Sequence, residues 1–390
     1  MPAAVVIGAG IGGLTAGIAL RQAGWDVTVL ERAERLQPVG SGLAVAANAL
    51  RALDTLGLGD PVRALSRVQG TLGLRRPDGR WLARSTEERV RKEFSDSVVV
   101  LPRAALVELL AEALGADALH LGVQVTEVEP DTGTVRTSAG ERVGELVVAA
   151  DGIRSATRRA LFPFHPGPVY SGVTAWRGLV PWTGGPLPST ETWGRGRLFG
   201  AHLLAGGLVY FYATDVSPAG ESAGASGGDE REELLRRFGG WHEPIPSLLR
   251  DVAAERILRN DIHTFATPLP AFHRGRVALV GDAAHPMTPN LGQGACQAIE
   301  DGVVLAYAAG GDLAAYSAAR VERTATLVRR SMAVCRATKV RNPVAVSLRD
   351  AGMALAARLT SDRMPRSMRE VLEWTPPRRA ASGRGPGAPA

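Results

Sequence analysis

The sequence predicts an α/β (α+β composite) fold: a parallel-sheet layer with helices, interrupted by an inserted β-sheet and followed by a helical C-terminal region. Three observations predict it. A GAGIGG turn at Gly8–Gly13 joins the apolar run Ala4–Ile7 to the helical apolar period Leu14–Ala23. Two more continuous apolar runs, Leu146–Ala150 and Val277–Val280, lie far along the chain and read as strands buried on both faces. Between them, residues 169–213 alternate apolar and polar side chains, the period of a half-buried strand.

The elements follow in order. Gly24 is placed to end the first helix as a C-cap, and Val27–Leu30 is a second strand closed by Glu31. Residues 43–56 and Arg103–Leu114 have helical periodicity. Residues 70–100 hold two short strands around the turn Pro77–Asp78–Gly79. His120–Val128 and Val135–Thr137 predict a small meander. Gly206–Gly207 sits between Leu198–Leu204 and Leu208–Ala213, the signature of a hairpin. Residues 217–230 are a small-residue loop, and a helix is expected over Glu230–Phe238. A further helix starts near Gly294, and helical patterns run from there to Glu373. The tail from Pro376 is rich in Pro, Gly, Ala and Arg, a composition that cannot bury enough apolar surface to order itself.

Composition limits the function classes. The chain has 390 residues, ample for a large core, and a formal charge of +6. Only Lys92 and Lys339 are lysines, and the arginines are dispersed without interleaved aromatics, so a nucleic-acid surface is not expected. No apolar run reaches the ~18 residues of a membrane span. The N-terminus lacks the basic segment and apolar length of a secretory signal, so a cytoplasmic protein is expected. Cys296 and Cys335 have no metal-type spacing and read as structural thiols; no metal site is expected.

The turn at residues 8–13 fits G-x-G-x-x-G, which makes the layer Rossmann-like. Gly8 permits the tight turn, Gly10 a close approach of backbone to a pyrophosphate, and Gly13 close helix–strand packing. Ile11 and Gly12 complete the turn, which leads into a helix whose free N–H groups and dipole favour a diphosphate. Glu31, eighteen residues after Gly13, is placed to accept hydrogen bonds from ribose hydroxyls.

Four segments together, GAGIGGLTAGIALRQAGWDVTVLER, Arg103, AADGIRSATRR and VGDAAHPMTPNLGQGACQAIEDG, resemble the FAD-dependent aromatic hydroxylases, the single-component flavoprotein monooxygenases that look like para-hydroxybenzoate hydroxylase. The resemblance spans roughly residues 3–310 in motif order. It implies FAD as cofactor, with NADH or NADPH docking transiently as electron donor, since no second Gly-rich site is present. It implies that Asp282 binds the ribityl chain, and that Pro289, Gly292, Gln293 and Gly294 bring a helix start to the flavin N1–C2=O edge. It places Asp151 and Gly152 near FAD and the nicotinamide donor, and Arg103 on phosphate or ribityl oxygens. Arg32, Gly42 and Val125 are further cofactor candidates, Val125 and its neighbour Gln124 against adenine. His285, within the same motif, reads as a structural loop residue.

The implied reaction inserts one oxygen atom from O2, through a flavin C4a-hydroperoxide, into an aromatic, heteroaromatic or electron-rich unsaturated small molecule. No protein acid–base residue is identified; His202, Tyr210 and Arg177 in the β-rich insertion are candidate substrate contacts. A flavin-dependent reductase or dehydrogenase, or a halogenase, remains an alternative on the same fold, although Trp176 and Trp182 do not match the halogenase tryptophan run; a non-catalytic nucleotide-binding protein is disfavoured. The expected division is a discontinuous FAD-binding domain over 1–69, 96–168 and 270–310, a substrate domain over 70–95 and 169–269, C-terminal helices over 311–375 and a disordered tail over 376–390. A monomer or homodimer is expected; the amphipathic segment Ala345–Leu359 is expected to pack on the body.

Overall fold

The computed structural model describes residues 1–36, 40–65, 71–86, 88–89, 92, 96, 98–221, 228–359 and 366–377. Part of the predicted loop, residues 222–227, and the tail from residue 378 lie outside the described residues.

A six-stranded sheet forms the first layer, in the order His273–Arg274, Val277–Leu279, Leu146–Ala149, Ala3–Ile7, Asp26–Glu31, Leu119–Leu121. The pairings are parallel except at the short 273–274 edge. The central strands Val5–Ile7 and Val147–Ala149 are buried along their length, which is why they read as continuous apolar runs rather than alternating ones. The helices Ile11–Gln22 and Gly294–Ala308 pack against each other over this sheet. Strands far apart in the chain therefore lie in one sheet, with Leu146–Ala149 between Ala3–Ile7 and Val277–Leu279: Val5 is opposite Val147, and Val147 opposite Val277.

The second layer is a seven-stranded sheet, in the order Leu258–Phe265, Pro168–Pro181, Leu208–Asp215, Arg197–Leu204, Ser189–Trp193, Thr71–Arg75, Trp81–Thr86. The two strands from 71–86 join it through a parallel pairing of Ser189–Thr192 with Leu72–Arg75. The predicted hairpin is present: Leu204 pairs with Leu208 across a three-residue turn, in which Gly206 and Gly207 take φ of +78° and +70°, a region that favours glycine. The outer face of this sheet is covered by the helices Glu230–Phe238 and Ile245–Asp251, with Trp176, Phe199, Phe211, Phe238 and Leu248 packed between them. The inner face looks onto the first layer.

Two expectations are corrected. Residues 43–56 are not one helix: Gly42–Val45 is a strand paired with Val99–Pro102, and the helix is Ala47–Asp54. A four-residue apolar run carries no period of its own, so only its distant partner makes it a strand. Residues 119–121 leave the expected meander to pair with Asp26–Glu31, while Val125–Glu129, Thr134–Thr137 and Gly140–Val143 form a separate three-stranded sheet.

The chain closes with the helices Leu313–Thr338, Pro343–Leu359 and Arg366–Leu372. Pro343–Leu359 packs beside Trp81–Thr86, yet leaves Val344, Leu348 and Leu355 exposed. None of the described helices is long and apolar enough to cross a membrane.

Candidate active site

The two layers enclose a cavity of about 960 Å³. Its floor comes from the first layer and its connections: Gly10, Ile11, Gly12, Gly152, Asp282 and the 287–298 segment. Its roof comes from the seven-stranded sheet and includes Arg177, Glu191, His202, Tyr210 and Tyr212. Of the sequence-predicted cofactor residues, Gly10, Ile11, Gly12, Gly42, Arg103, Gly152, Asp282, Pro289, Gly292 and Gly294 line this one space, as do all three candidate substrate contacts. Residues separated by up to 284 positions, Gly10 and Gly294, thus share a wall.

The remaining candidates stand behind or beside it. Gly8, at φ +101°, and Gly13 shape the dinucleotide turn. A Cβ on Gly13 would lie 1.9 Å from the Gly8 carbonyl oxygen, so only glycine lets helix and strand approach this closely. Glu31 ties the turn down: its carboxylate accepts hydrogen bonds from the N–H groups of Ala9 (2.8 Å) and Ala33 (3.0 Å). Arg32 is exposed next to it. Val125 is half-buried on the three-stranded sheet and outside the cavity lining. Asp151 accepts from the Thr157 N–H and hydroxyl through Oδ2, while Oδ1 is buried without a partner. Gln293 is buried, its Oε1 accepting from the amides of Asn48 and Gln297. Gly42 has two neighbours: it lines the cavity, and its missing side chain makes room for the Tyr210 ring, 2.6 Å from where a Cβ would sit.

These residues fit FAD on structural grounds. The helix starting at Ile11 has Gly10 as N-cap, with no side chain capping its N–H groups, and a Cβ on Gly10 would meet open space. Such an end is a ready site for a diphosphate. The helix at Gly294 likewise begins at the cavity wall without a side-chain cap. Arg103 lines the cavity and forms no side-chain ion pair among the described residues. Asp282 is exposed on the floor, where its carboxylate is available as a hydrogen-bond acceptor.

Beneath the floor lies a buried ionic network that the sequence reading missed. Asp301 accepts from the Gly281 N–H (2.8 Å), from Arg320 Nε (2.7 Å), and is 2.6 Å from His285 Nε2. Glu300 accepts from Arg323 Nε (2.8 Å) and the Asn48 amide (2.7 Å), and pairs with Arg320. Glu300, Asp301 and Arg320 have no exposed side-chain surface. Burial alone would raise the Asp301 pKa; the charges of His285 and Arg320, with the Gly281 hydrogen bond, hold it down to about 2. This network fixes the turn that carries Asp282. The signal was in the sequence: an adjacent acid pair, Glu300–Asp301, inside an otherwise apolar helix has to find buried cations. His285 belongs to this network, as its reading as a structural residue expects, although its Nδ1 has no partner.

The roof also holds a polar group the sequence reading missed. Tyr212 donates to Glu191 Oε1 (2.6 Å), and Trp193 Nε1 donates to the other carboxylate oxygen (2.9 Å). Burial pushes the Glu191 carboxyl above its usual range. His202 stacks on Tyr212, ring centroids 5.6 Å apart, and burial lowers its pKa to about 4. Arg177 donates to Asn260 Oδ1 (3.2 Å). Cys296 and Cys335 are buried and free, and the described residues contain no cluster suited to a metal.

Comparison with known proteins agrees with this geometry. The family described as FAD binding domain matches residues 2–173 and 254–331. The chain is 39% identical over 384 residues to the aurachin C monooxygenase/isomerase of Stigmatella aurantiaca, covering 95% of this chain and 98% of that protein. It is 37% identical to the 3-amino-4-hydroxybenzoate 2-monooxygenase of Streptomyces cremeus, covering 76% of this chain and 75% of that one. Among solved structures, Klebsiella pneumoniae HpxO complexed with FAD and uric acid superimposes with a TM-score of 0.82 at 30% identity, covering 92% of this chain and 94% of that chain. With a cofactor floor built from both ends of the sequence under a separate β-roof, and with this likeness along nearly its whole length, the chain belongs to the FAD-dependent aromatic hydroxylase family.

Proposed function

We propose that the protein is an NAD(P)H-dependent flavin monooxygenase that inserts one oxygen atom from O2 into an aromatic, heteroaromatic or electron-rich unsaturated small molecule. One observation carries this reading. A single cavity of about 960 Å³ runs from the dinucleotide turn, past Asp282 and the 294 helix start, to His202 and Tyr210. That is at the upper end of small-molecule sites, room for the reacting end of a cofactor and a second ring. Bound FAD supplies the electron transfer from the nicotinamide donor and the activation of O2.

The chain's own residues hold, orient and shield. Gly10, Ile11 and Gly12, with Gly8 and Gly13 shaping their turn, present helix N–H groups to the diphosphate. Glu31, Arg103 and Asp282 supply side-chain partners for the sugar, phosphate and ribityl oxygens, with Asp151 and Gly152 beside them. Pro289, Gly292, Gln293 and Gly294 would hold the ring end of FAD at a helix start, whose dipole favours negative charge. Arg32 and Val125 belong to the adenosine end. The roof keeps water from the reacting centre, with Leu72, Leu74, Val98 and Val100 closing its sides. Arg177 offers a cation to an anionic or phenolic substrate oxygen, and Tyr210 a flat packing surface.

The domain division read from the sequence is retained in this proposal. Its substrate domain supplies the roof and its discontinuous cofactor domain the floor. We further read the protein as a cytoplasmic monomer or homodimer, a reading supported by its two free buried thiols.

The experiment is a screen of phenols, heteroaromatics and polyenes for substrate-stimulated NAD(P)H oxidation, followed by product mass under 18O2. The expected product is heavier by one labelled oxygen. NAD(P)H or substrate consumption without label would place the chain among flavin reductases, and chloride-dependent product formation among halogenases; either result overturns the reading.

A further inference from the structure

We propose that the outer face of the helix Pro343–Leu359 seats the protein on an anionic lipid surface, lying in the headgroup layer without crossing it. None of its residues lines the cavity, so this docking face stands or falls apart from the oxygen-insertion reading above.

A surface helix of a soluble protein pairs an apolar inner stripe with a charged outer one. This helix departs from that rule. Val346 and Asp350 are buried and Met353 half-buried on its inner side, where the helix packs beside Trp81–Thr86. Its outer side is apolar as well. Val344, Leu348 and Leu355 are 68%, 69% and 57% exposed, with Ala351 and Gly352 exposed between them. Steps of three and four residues set all five on one stripe. The one acid of the helix, Asp350, is turned inward, 2.7 Å from Arg349 and 3.7 Å from Arg76, so no carboxylate of the helix reaches the outer stripe. Positive charge stands at both ends: Arg341, just before the helix and 57% exposed, and Arg358, exposed in its last turn. Around Arg341, the cations Arg197, Arg236 and Arg237 share only Asp215 and Glu233 with it, which leaves positive charge in excess.

These charges choose the occupant. A second copy docked by a two-fold axis brings the stripe against itself. Whether the paired helices run parallel or antiparallel, arginine then meets arginine at both ends. A stable protein interface also buries about 800 Å² on each side, more than this stripe offers. An anionic bilayer suits both features. Its acyl boundary takes the apolar face to a depth of about 5–10 Å. Its headgroups meet the arginines, each worth about fivefold in affinity at such a surface.

Co-sedimentation of the full-length, FAD-loaded protein with vesicles tests the docking. One set is phosphatidylcholine alone, the other phosphatidylcholine mixed with phosphatidylserine. Binding to the mixed vesicles is expected, at least about 10-fold weaker to phosphatidylcholine alone, and weakened by salt. Leu348→Gln/Leu355→Gln keeps the charge and the helix propensity. It should weaken binding at least about 10-fold, with FAD content and melting temperature nearly unchanged. Val143→Gln is the control: that valine is 59% exposed on the separate three-stranded sheet, and its loss should leave binding as it is. An environment-sensitive dye on Ala351→Cys, placed selectively because both native thiols are buried, should shift to the blue on mixed vesicles, and the same dye on Val143→Cys should not. If the double variant loses its fold, the dye alone decides. Failure to bind mixed vesicles, equal binding to both sets, binding that survives the double variant, or a dye at residue 351 that stays in water overturns the proposal. So does a dimer in sedimentation equilibrium that the double variant dissociates, which would give the stripe to a second copy.

Discussion

Arg320→Met should lower the unfolding free energy by about 3–5 kcal/mol, the cost of leaving buried charge without its partner. Arg320 is fully buried and donates to Asp301 through Nε and to Glu300 through Nη1. Methionine fills much of the volume but removes the charge that both carboxylates need. Arg323 still bonds Glu300, so Asp301 bears most of the loss. The pH dependence should change too. In the native protein the folded pKa of Asp301 is about 2, below its ordinary 3.8. Its stabilising contribution is thus complete above pH ~3.8 and is lost as pH falls toward 2. Without Arg320 the folded pKa rises, and acid unfolding should begin at higher pH. Denaturant unfolding between pH 3 and 8 measures both effects. Because Asp301 also accepts the Gly281 N–H, FAD affinity should fall with stability in this variant. Unchanged stability would mean that the network is not the strut of the floor.

Gly13→Ala should weaken FAD binding about 10- to 100-fold while leaving most of the fold intact. The added methyl would sit 1.9 Å from the Gly8 carbonyl oxygen and 3.1 Å from Ala150 Cβ. Neither neighbour is the far end of a flexible side chain, so the turn itself must move. Overpacking of this kind costs about 1–3 kcal/mol, and here the displaced atoms are the ones that present N–H groups to the diphosphate. Gly24→Ala is the control. It also has positive φ, at +89°, but a Cβ there meets open space and lies away from the cavity. That variant should lose stability through backbone strain and keep its FAD affinity. Fluorescence titration of apoprotein with FAD measures both. Equal losses in the two variants would contradict a specific role for the turn.

The parts legible in the sequence are those whose signal is local. Gly8–Gly13 lies between a buried strand and a helix within one short unit, so turn, strand and helix announce each other. The hairpin at Gly206–Gly207 is equally self-contained; its register, which sets His202 opposite Tyr210, comes from the structure. Asp282 and Gly292–Gly294 were found by their motif, and the cavity gathers them with Gly10 and Arg103. What was missed depends on partners distant in sequence. Gly42–Val45 is a strand only because Val99–Pro102 lies beside it. Glu191 and Tyr212 are separated by two strands' worth of chain, and nothing near either announces that Gly200 will let them meet. Arg320 lies nineteen residues beyond Asp301 on the following helix, so the charge pairing follows from how two helices pack rather than from either helix alone. Tertiary context sets such contacts; period and propensity do not.

Floor and roof enclose one flavin site with its reactive ring between them. The most direct measurement is the crystal structure of the FAD-loaded protein. The expected result is the diphosphate at Gly10–Gly12, the ribityl chain beside Asp282, and the isoalloxazine between the Gly292–Gly294 helix start and the wall formed by His202 and Tyr210. A flavin bound elsewhere, or a ring turned away from that wall with Asp282 making no contact to the cofactor, would contradict it.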